Sequence, residues 1–285
     1  MVLEVIYIVR HGVCNDKDLD LDFFRSNWVV DPDTGVYSSN VTSPTGIHSD
    51  PALAGYGVDQ AKQLAKKILT LDPPVDVIYS SPFYRCLQTL KPTTEQLFRG
   101  RCGGKVRVEN GVGEFYGRAR FDHPSPAPLS VLHTHFPNLD PDYTPLIIPS
   151  TNGETIEGLH DRIAYALHQM IATLDADPQG PRALLICTHA ASMIAMGRTL
   201  TGRMPKDPAE DDFKCFTCSL SKFMRRRKEN VVPSGDDTKG EKWNRASPDD
   251  IPDVGWRDGK GVKGGWNCEL NGDCSFLRGG EERGW

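Results

Sequence analysis

The chain has 285 residues, a net charge of −5 and a pI near 5.9, enough for one large domain with a full core and too acidic for a domain-wide nucleic-acid-binding surface. No apolar run approaches the ~20 residues that span a bilayer, and Met1 leads into a strand-like segment with no basic flank and long apolar stretch, so an intracellular chain, cytoplasmic and/or nuclear and without a membrane partner, is expected. Eight cysteines at this length do not make the dense disulfide framework of a small secreted domain and read as free thiols.

Strand and helix signals alternate from the start. Val5-Ile6-Tyr7-Ile8-Val9 is a buried-strand pattern that runs directly into Arg10-His11-Gly12. The polar stretch 14–55 follows as a long loop excursion. Val58, Ala61, Leu64, Ala65, Ile68 and Leu69 share one helical face, stopped by Asp72-Pro73-Pro74. A strand is predicted over 75–79. Ser81-Pro82 then reads as a helix start, because a hydroxyl can cap free amides and proline suits the first helical position; Pro92 predicts a kink further on. Val106-Arg107-Val108 predicts the next strand and leads to Gly113-Glu114-Phe115-Tyr116.

The proline-rich run 118–150 reads as irregular. Thr151-Asn152-Gly153-Glu154 has capping-box spacing before an amphipathic helix that carries Ile156, Leu159, Ile163, Leu167 and Met170. Ala183-Leu184-Leu185-Ile186-Cys187 is a second buried-strand pattern; it ends in Thr188-His189-Ala190, and a helix is expected from Ala190 to Leu200. A strand over 213–223 precedes the basic run Arg225-Arg226-Arg227-Lys228, which opens a polar, glycine-rich stretch read as a disordered insertion over 224–265. Two strands around Asn271-Gly272-Asp273 predict a terminal hairpin over 266–285, completing a domain that begins at residue 1 and runs to 223.

The fold class is therefore α/β, a three-layer sandwich with a mostly parallel central sheet flanked by helices. In such sheets ligands gather where strands end and loops begin, the position of His11 and of His189. A bare Arg-His-Gly arises by chance in roughly one chain of this length in fifty. Chance becomes a poor explanation once Arg85 also stands at a strand-to-helix junction.

Those residue types suit phosphoryl transfer, which needs an attacking atom, neutralised phosphoryl oxygens and a proton for the departing alkoxide. His11 supplies a neutral imidazole nitrogen as nucleophile. Arg10 and Arg85 offer planar bidentate donors. A protonated His189 adds charge, and Glu114 is the best-placed carboxylate for acid and base work. Glycine-rich nucleotide motifs are absent and no cofactor is expected. No metal is expected either. Cys215 and Cys218 lack a second pair at zinc spacing and would face opposite sides of a strand. His123, His133 and His135 read as solvated loop histidines, and the basic run as a solvated face or a nuclear-import patch.

Arg10-His11-Gly12, Arg85, Glu114 and Thr188-His189 resemble the histidine phosphatase, or phosphoglycerate mutase-like, superfamily over about residues 1–223 and the final strands. Ser81-Pro82-Phe83-Tyr84-Arg85-Cys86-Leu87-Gln88-Thr89 and Thr188-His189-Ala190-Ala191-Ser192 look most like the fungal branch that contains the tau55 subunit of transcription factor IIIC. A more distant likeness is to the ubiquitin-associated and SH3-domain tyrosine phosphatases. The resemblance implies a phosphorylated His11, a phosphate pocket of Arg10, Arg85 and His189, Glu114 as proton donor, and no metal requirement.

The sequence departs from that pattern once. Where the branch has another arginine and then Ser-Asn-Trp within two residues of the motif, Val13 is followed by Cys14, and Arg25-Ser26-Asn27-Trp28 comes only after the extra segment 14–24. Arg25 is thus a further phosphate-binding candidate. A phosphomonoesterase acting on a phosphorylated small molecule or phosphopeptide is the leading reading. A phosphatase-like scaffold partnered by transcription factor IIIC subunits is its rival, and a mutase-type phosphotransferase the third.

Overall fold

The computed structural model describes residues 2–14, 28–39, 42–99, 104–227 and 242–283. Arg25, the acidic stretch 15–24 and Lys228 lie outside them.

A six-stranded sheet forms the centre, in the order β5 (Val106–Val108), β4 (Val77–Ser80), β6 (Ala183–Thr188), β1 (Val5–Arg10), β7 (Leu220–Arg225) and β8 (Trp266–Asp273). β5, β4, β6 and β1 are parallel; β7 runs against both β1 and β8. Both β1 and β6 are buried along their whole length, which explains why each reads as a continuous apolar run rather than an alternating one. Val5, Tyr7 and Val9 point to the layer of α1 (Gly55–Ile68) and α2 (Tyr84–Leu97). Ile6 and Ile8 point to that of α4 (Ile156–Asp175) and α5 (Ala190–Thr201). The three-layer α/β sandwich is the architecture the alternating signals predict.

Outside the main sheet, β2 (Trp28–Val30) and β3 (Tyr37–Ser39) pair as a small antiparallel ribbon within the 14–55 excursion. The 118–150 run is not wholly irregular, since it carries the short helix α3 (Leu129–His135).

Four expectations are corrected at the end of the chain. The strand predicted over 213–223 begins only at Leu220, because Cys218 takes a left-handed backbone (φ 53°) that breaks extension. The expected hairpin does not form. Residues 266–273 make one strand whose partner is β7, and Gly272 (φ 68°) takes up a register shift within that pairing instead of turning the chain. Nor is 242–265 a loose insertion. Trp256 is fully buried against the α4/α5 layer and donates from Nε1 to Asp161 (3.2 Å), while Tyr165 accepts through its hydroxyl from the Trp243 amide (2.9 Å). The basic run is likewise no free patch at its start: Arg225 pairs with Asp175 at 2.7 Å, and Arg226 donates to the carbonyls of Thr201 and Gly259.

Candidate active site

Parallel pairing fixes the site. Arg10 is in register with Thr188, and Ser80 with Cys187, so the carboxyl ends of β1, β6 and β4 release their chains along one edge. His11, Ser81 and His189 are the next residues on each. The backbone of His11 is clamped on both sides, its amide donating to the Thr188 carbonyl (3.0 Å) and its carbonyl accepting from the Cys218 amide (3.3 Å). Gly12 donates to Thr89 and Val13 to Gln60. Gly57 permits this anchoring, since a β-carbon there would stand 2.0 Å from the Val13 carbonyl oxygen.

His11, Glu114, His189, Arg10 and Arg85 converge. Arg10, His11, Arg85 and His189 are all buried. Arg85 donates from Nη2 to Glu114 Oε2 (2.8 Å) and from Nη1 to Asp50 Oδ1 (3.2 Å) and the Ser49 carbonyl (3.0 Å). Glu114 Oε2 is also 3.1 Å from His189 Nδ1, and the His11 and His189 rings stand 5.3 Å apart. Arg10 donates from Nη1 to the Cys215 carbonyl (2.8 Å) and to that of Arg283.

Electrostatics separates the two histidines. Burial, reinforced by the guanidinium groups of Arg85 and Arg10, holds His11 well below the usual histidine range, so its ring is neutral. Burial also opposes charge on His189, yet the adjacent Cys86 and the Glu114 carboxylate outweigh it and raise its pKa. Glu114 responds in kind. Desolvation disfavours its charge, but His189 and Arg85 keep it ionised well below the usual carboxylate range. Arg85 resists its own burial because Glu114 and Asp50 flank it, and it stays firmly protonated.

Several partners carry no signal that the sequence reading used. Asp50, fully buried inside the 14–55 excursion, bonds the Arg85 side chain and also accepts from the Tyr84 amide (2.7 Å). It therefore caps α2, the task the sequence assigns to Ser81. Ser81 Oγ instead lies 2.7 Å from His189 Nε2 and orients that ring. The helix starts at Tyr84 and continues through Pro92. The capping box also shifts. Thr155 is the cap, accepting from the Gly158 amide, and Glu154 is bound to Arg162.

Arg162 is fully buried on α4 and donates to the carbonyls of Gly111 (2.9 Å), Gly113 (3.4 Å) and Glu114 (3.4 Å). Beside it, Glu109 accepts from the amides of Gly111, Leu146 and Ile147 and from the Tyr143 hydroxyl. Together they fix the turn that carries Glu114. Arg162→Met is expected to destabilise the protein by about 3–5 kcal/mol, because Glu154 would be left buried without its counter-ion. The check is chemical denaturation, and a loss below about 1 kcal/mol would contradict this role.

Ligand atoms of His11, Glu114 and His189 lie within 4.8 Å of one another, a spacing at which three donors could meet a metal ion. The same Glu114 oxygen already receives Arg85, and two guanidinium charges beside the cluster favour an anion over a dication. Neither Cys215 nor Cys218 joins a metal-type cluster among the described residues. His123 is not simply solvated: Nδ1 lies 2.6 Å from the Tyr37 hydroxyl, Nε2 lies 2.8 Å from the Gly117 carbonyl, and the ring stacks on Tyr116.

The sequence profile of the histidine phosphatase superfamily (branch 1) matches residues 6–238. The chain belongs to this superfamily. It is 33% identical over 291 aligned residues to the transcription factor tau 55 kDa subunit of Saccharomyces cerevisiae, an alignment that takes in 100% of this chain and 59% of the relative. It is 26% identical to the human ubiquitin-associated and SH3 domain-containing protein A, over 71% of this chain and 32% of that protein. The chain thus spans less than two thirds of either relative. Among solved structures, the ecdysone phosphate phosphatase of Bombix mori, in complex with tungstate, superposes with a TM-score of 0.58 at 18% identity, covering 85% of this chain and 98% of that one. The superfamily assignment agrees with the resemblance carried by the motifs. No helix among the described residues is long and apolar enough to cross a membrane.

Proposed function

We propose that the chain is a metal-independent phosphomonoesterase working through a phosphohistidine. The observation that carries this reading is the state of His11. Nδ1 lies 2.8 Å from the Gly12 carbonyl oxygen, which can only accept, so the proton sits on Nδ1 and Nε2 keeps its lone pair. A neutral nucleophile held among Arg10, Arg85 and His189, whose raised pKa favours its charged form, is poised against a bound phosphoryl group. Nε2 attacks phosphorus, the nitrogen–phosphorus bond forms, and the ester oxygen leaves with its electron pair and takes a proton from Glu114. A water oxygen then attacks phosphorus as Glu114 takes back a proton, the nitrogen–phosphorus bond breaks, and inorganic phosphate departs.

Glu114 is ionised at rest and must be loaded first. A phosphate dianion draws Arg85 toward its own oxygens and sets negative charge beside the carboxylate, and both effects raise its proton affinity. Arg25 is a further phosphate contact only through the family resemblance, and the reading stands without it.

Proton donation matters most for poor leaving groups. Glu114→Gln is expected to slow alkyl phosphates by about 10²–10⁴-fold and p-nitrophenyl phosphate far less. Equal losses on both substrates would remove Glu114 from the donor role. Chelators are expected to leave turnover unchanged and vanadate to inhibit it as a mimic of the five-coordinate state. Loss of activity on metal removal would overturn the metal-free mechanism.

The likeness to tau 55, which spans this whole chain and 59% of that relative, favours one second reading, a phosphatase-like subunit of a transcription factor IIIC assembly in the nucleus. Under it, native purification would recover the chain with the other subunits, and a His11 variant without turnover would still support transcription. An active free chain, with a phenotype for that variant, favours the enzyme.

A further inference from the structure

Residues 278–283 run along α1 and end against the phosphate pocket. Tyr56, Gln60 and Gln63 recur at helical spacing on α1, so they share one stripe beside its apolar face. Gln63 Oε1 accepts from the Arg278 amide (2.8 Å). The Tyr56 hydroxyl and Gln60 Nε2 donate to the two carboxylate oxygens of Glu282, at 3.0 and 3.1 Å. Gly279 allows this approach, since a β-carbon there would stand 1.9 Å from the Tyr56 hydroxyl oxygen.

Gln60 ties the segment to the loop that carries the histidine motif. Its side chain is 1% exposed, and a buried amide is costly unless it is bonded. Its Oε1 accepts from the Val13 amide (3.1 Å), and its Nε2 donates to Thr217 Oγ1 (3.1 Å) as well as to Glu282. The Glu282 carbonyl in turn accepts from the Thr217 amide (2.9 Å). The loop after β1, the turn 215–218 and the segment 278–283 thus meet at one side chain.

The network ends on Arg10. Nη1 of Arg10 donates to the carbonyls of Cys215 and Arg283. Cys215 lies just before Thr217, and Arg283 directly follows Glu282. Two acceptors on one terminal nitrogen fix the plane of the guanidinium, and with it the directions of Nε and Nη2. Arginine is among the side chains with most rotamer freedom to lose when it grips an anion, so holding it in place beforehand favours binding.

We infer that Gln60 and Glu282 are positioning residues, which aim Arg10 at the phosphoryl oxygens by holding the Cys215 and Arg283 carbonyls in place. The inference rests on the reading of Arg10 as a phosphate ligand and adds to the pocket the segment 278–283 that supports it.

Glu282→Ala removes both carboxylate contacts from a half-buried side chain. In the full chain it is expected to raise KM for p-nitrophenyl phosphate and the inhibition constant of orthovanadate together, each by about tenfold, with kcat within about threefold of the parent, because Arg10 grips ground and transition states alike. A purely structural role would lower kcat with the active fraction and leave KM unmoved. Glu282→Gln is expected to recover most of the loss, since its oxygen can accept from Gln60 and the Tyr56 hydroxyl can accept from its amide. In an Arg10→Ala background, Glu282→Ala is expected to change orthovanadate affinity by less than about twofold, because the group it acts through is gone. Constants within about twofold of the parent for Glu282→Ala, or the same tenfold loss without Arg10, would overturn the inference. If Glu282→Ala does not fold, Tyr56→Phe, which removes one hydroxyl, is expected to raise both constants about threefold, and unchanged constants there would overturn it. If the wild type neither hydrolyses the ester nor binds orthovanadate, the phosphomonoesterase reading fails by itself, and nuclear magnetic resonance of protein labelled with 15N-arginine then decides the positioning role. An Arg10 Nε–Hε signal resolved in the parent and lost to exchange in Glu282→Ala upholds it, and a signal absent from the parent or unchanged by the substitution overturns it.

Discussion

His11→Ala is expected to lower turnover by roughly 10⁴- to 10⁶-fold, the scale on which covalent hydrolases lose activity with their nucleophile. The side chain sits at the end of β1, is anchored through its backbone, and is bonded only to Gly12 and Cys14 among the contacts that involve its ring nitrogens, apart from its neighbours in the cluster. Among the described residues, no strand pairing depends on the imidazole. The variant is therefore expected to fold, with a thermal transition close to that of the parent and binding of inorganic phosphate retained through Arg10, Arg85 and His189. Turnover within tenfold of the parent would remove His11 from the reaction.

Arg85→Ala is expected to act twice. Loss of an oriented donor to the phosphoryl oxygens costs roughly 10²–10³-fold in kcat/KM. Loss of the guanidinium also leaves Asp50 fully buried without its counter-ion, which destabilises the fold by about 3–5 kcal/mol. Denaturation and steady-state kinetics separate the two effects. The double variant Arg85→Ala with Asp50→Asn removes the unpaired charge, so it is expected to recover part of the stability and none of the activity. Recovery of activity would show that Arg85 serves only the fold.

The residues that converge at the candidate site were legible in the sequence because two signals coincide at each. β1 and β6 are buried on both faces, so their apolar runs are unbroken and the histidine after each stands out at a strand end. Arg85 and Glu114 follow strands in the same manner. Residues that hold these groups in place were not legible. Asp50, Glu109 and Arg162 are fully buried charged side chains, and nothing local distinguishes them from surface residues, because most of their partners are distant in sequence: Tyr84 for Asp50, Ile147 for Glu109 and the Gly111 carbonyl for Arg162. Ser81 shows the converse. Its place before Pro82 fits a helix cap, but a fixed bond to His189 supplants that role while Asp50 takes the cap.

The end of the chain misled for a related reason. Trp243, Trp256 and Val262 are too widely spaced among glycines and acids to give a period, yet each finds a place against the α4/α5 layer once the sheet exists. Asn271-Gly272-Asp273 has turn chemistry, and the glycine's positive φ is indeed used, but as an irregularity within β8 that lets the strand stay paired with β7. Pairing with an existing sheet edge satisfies more backbone groups than an isolated two-stranded hairpin.

The most direct measurement is capture of the covalent intermediate. Protein mixed with a radiolabelled aryl phosphate and quenched in alkali within one turnover is expected to retain label that acid releases, and peptide mapping is expected to find it on His11, the proposed nucleophile. A chain that hydrolyses the ester while no label is trapped on His11, or that carries the label on another residue, would contradict the account.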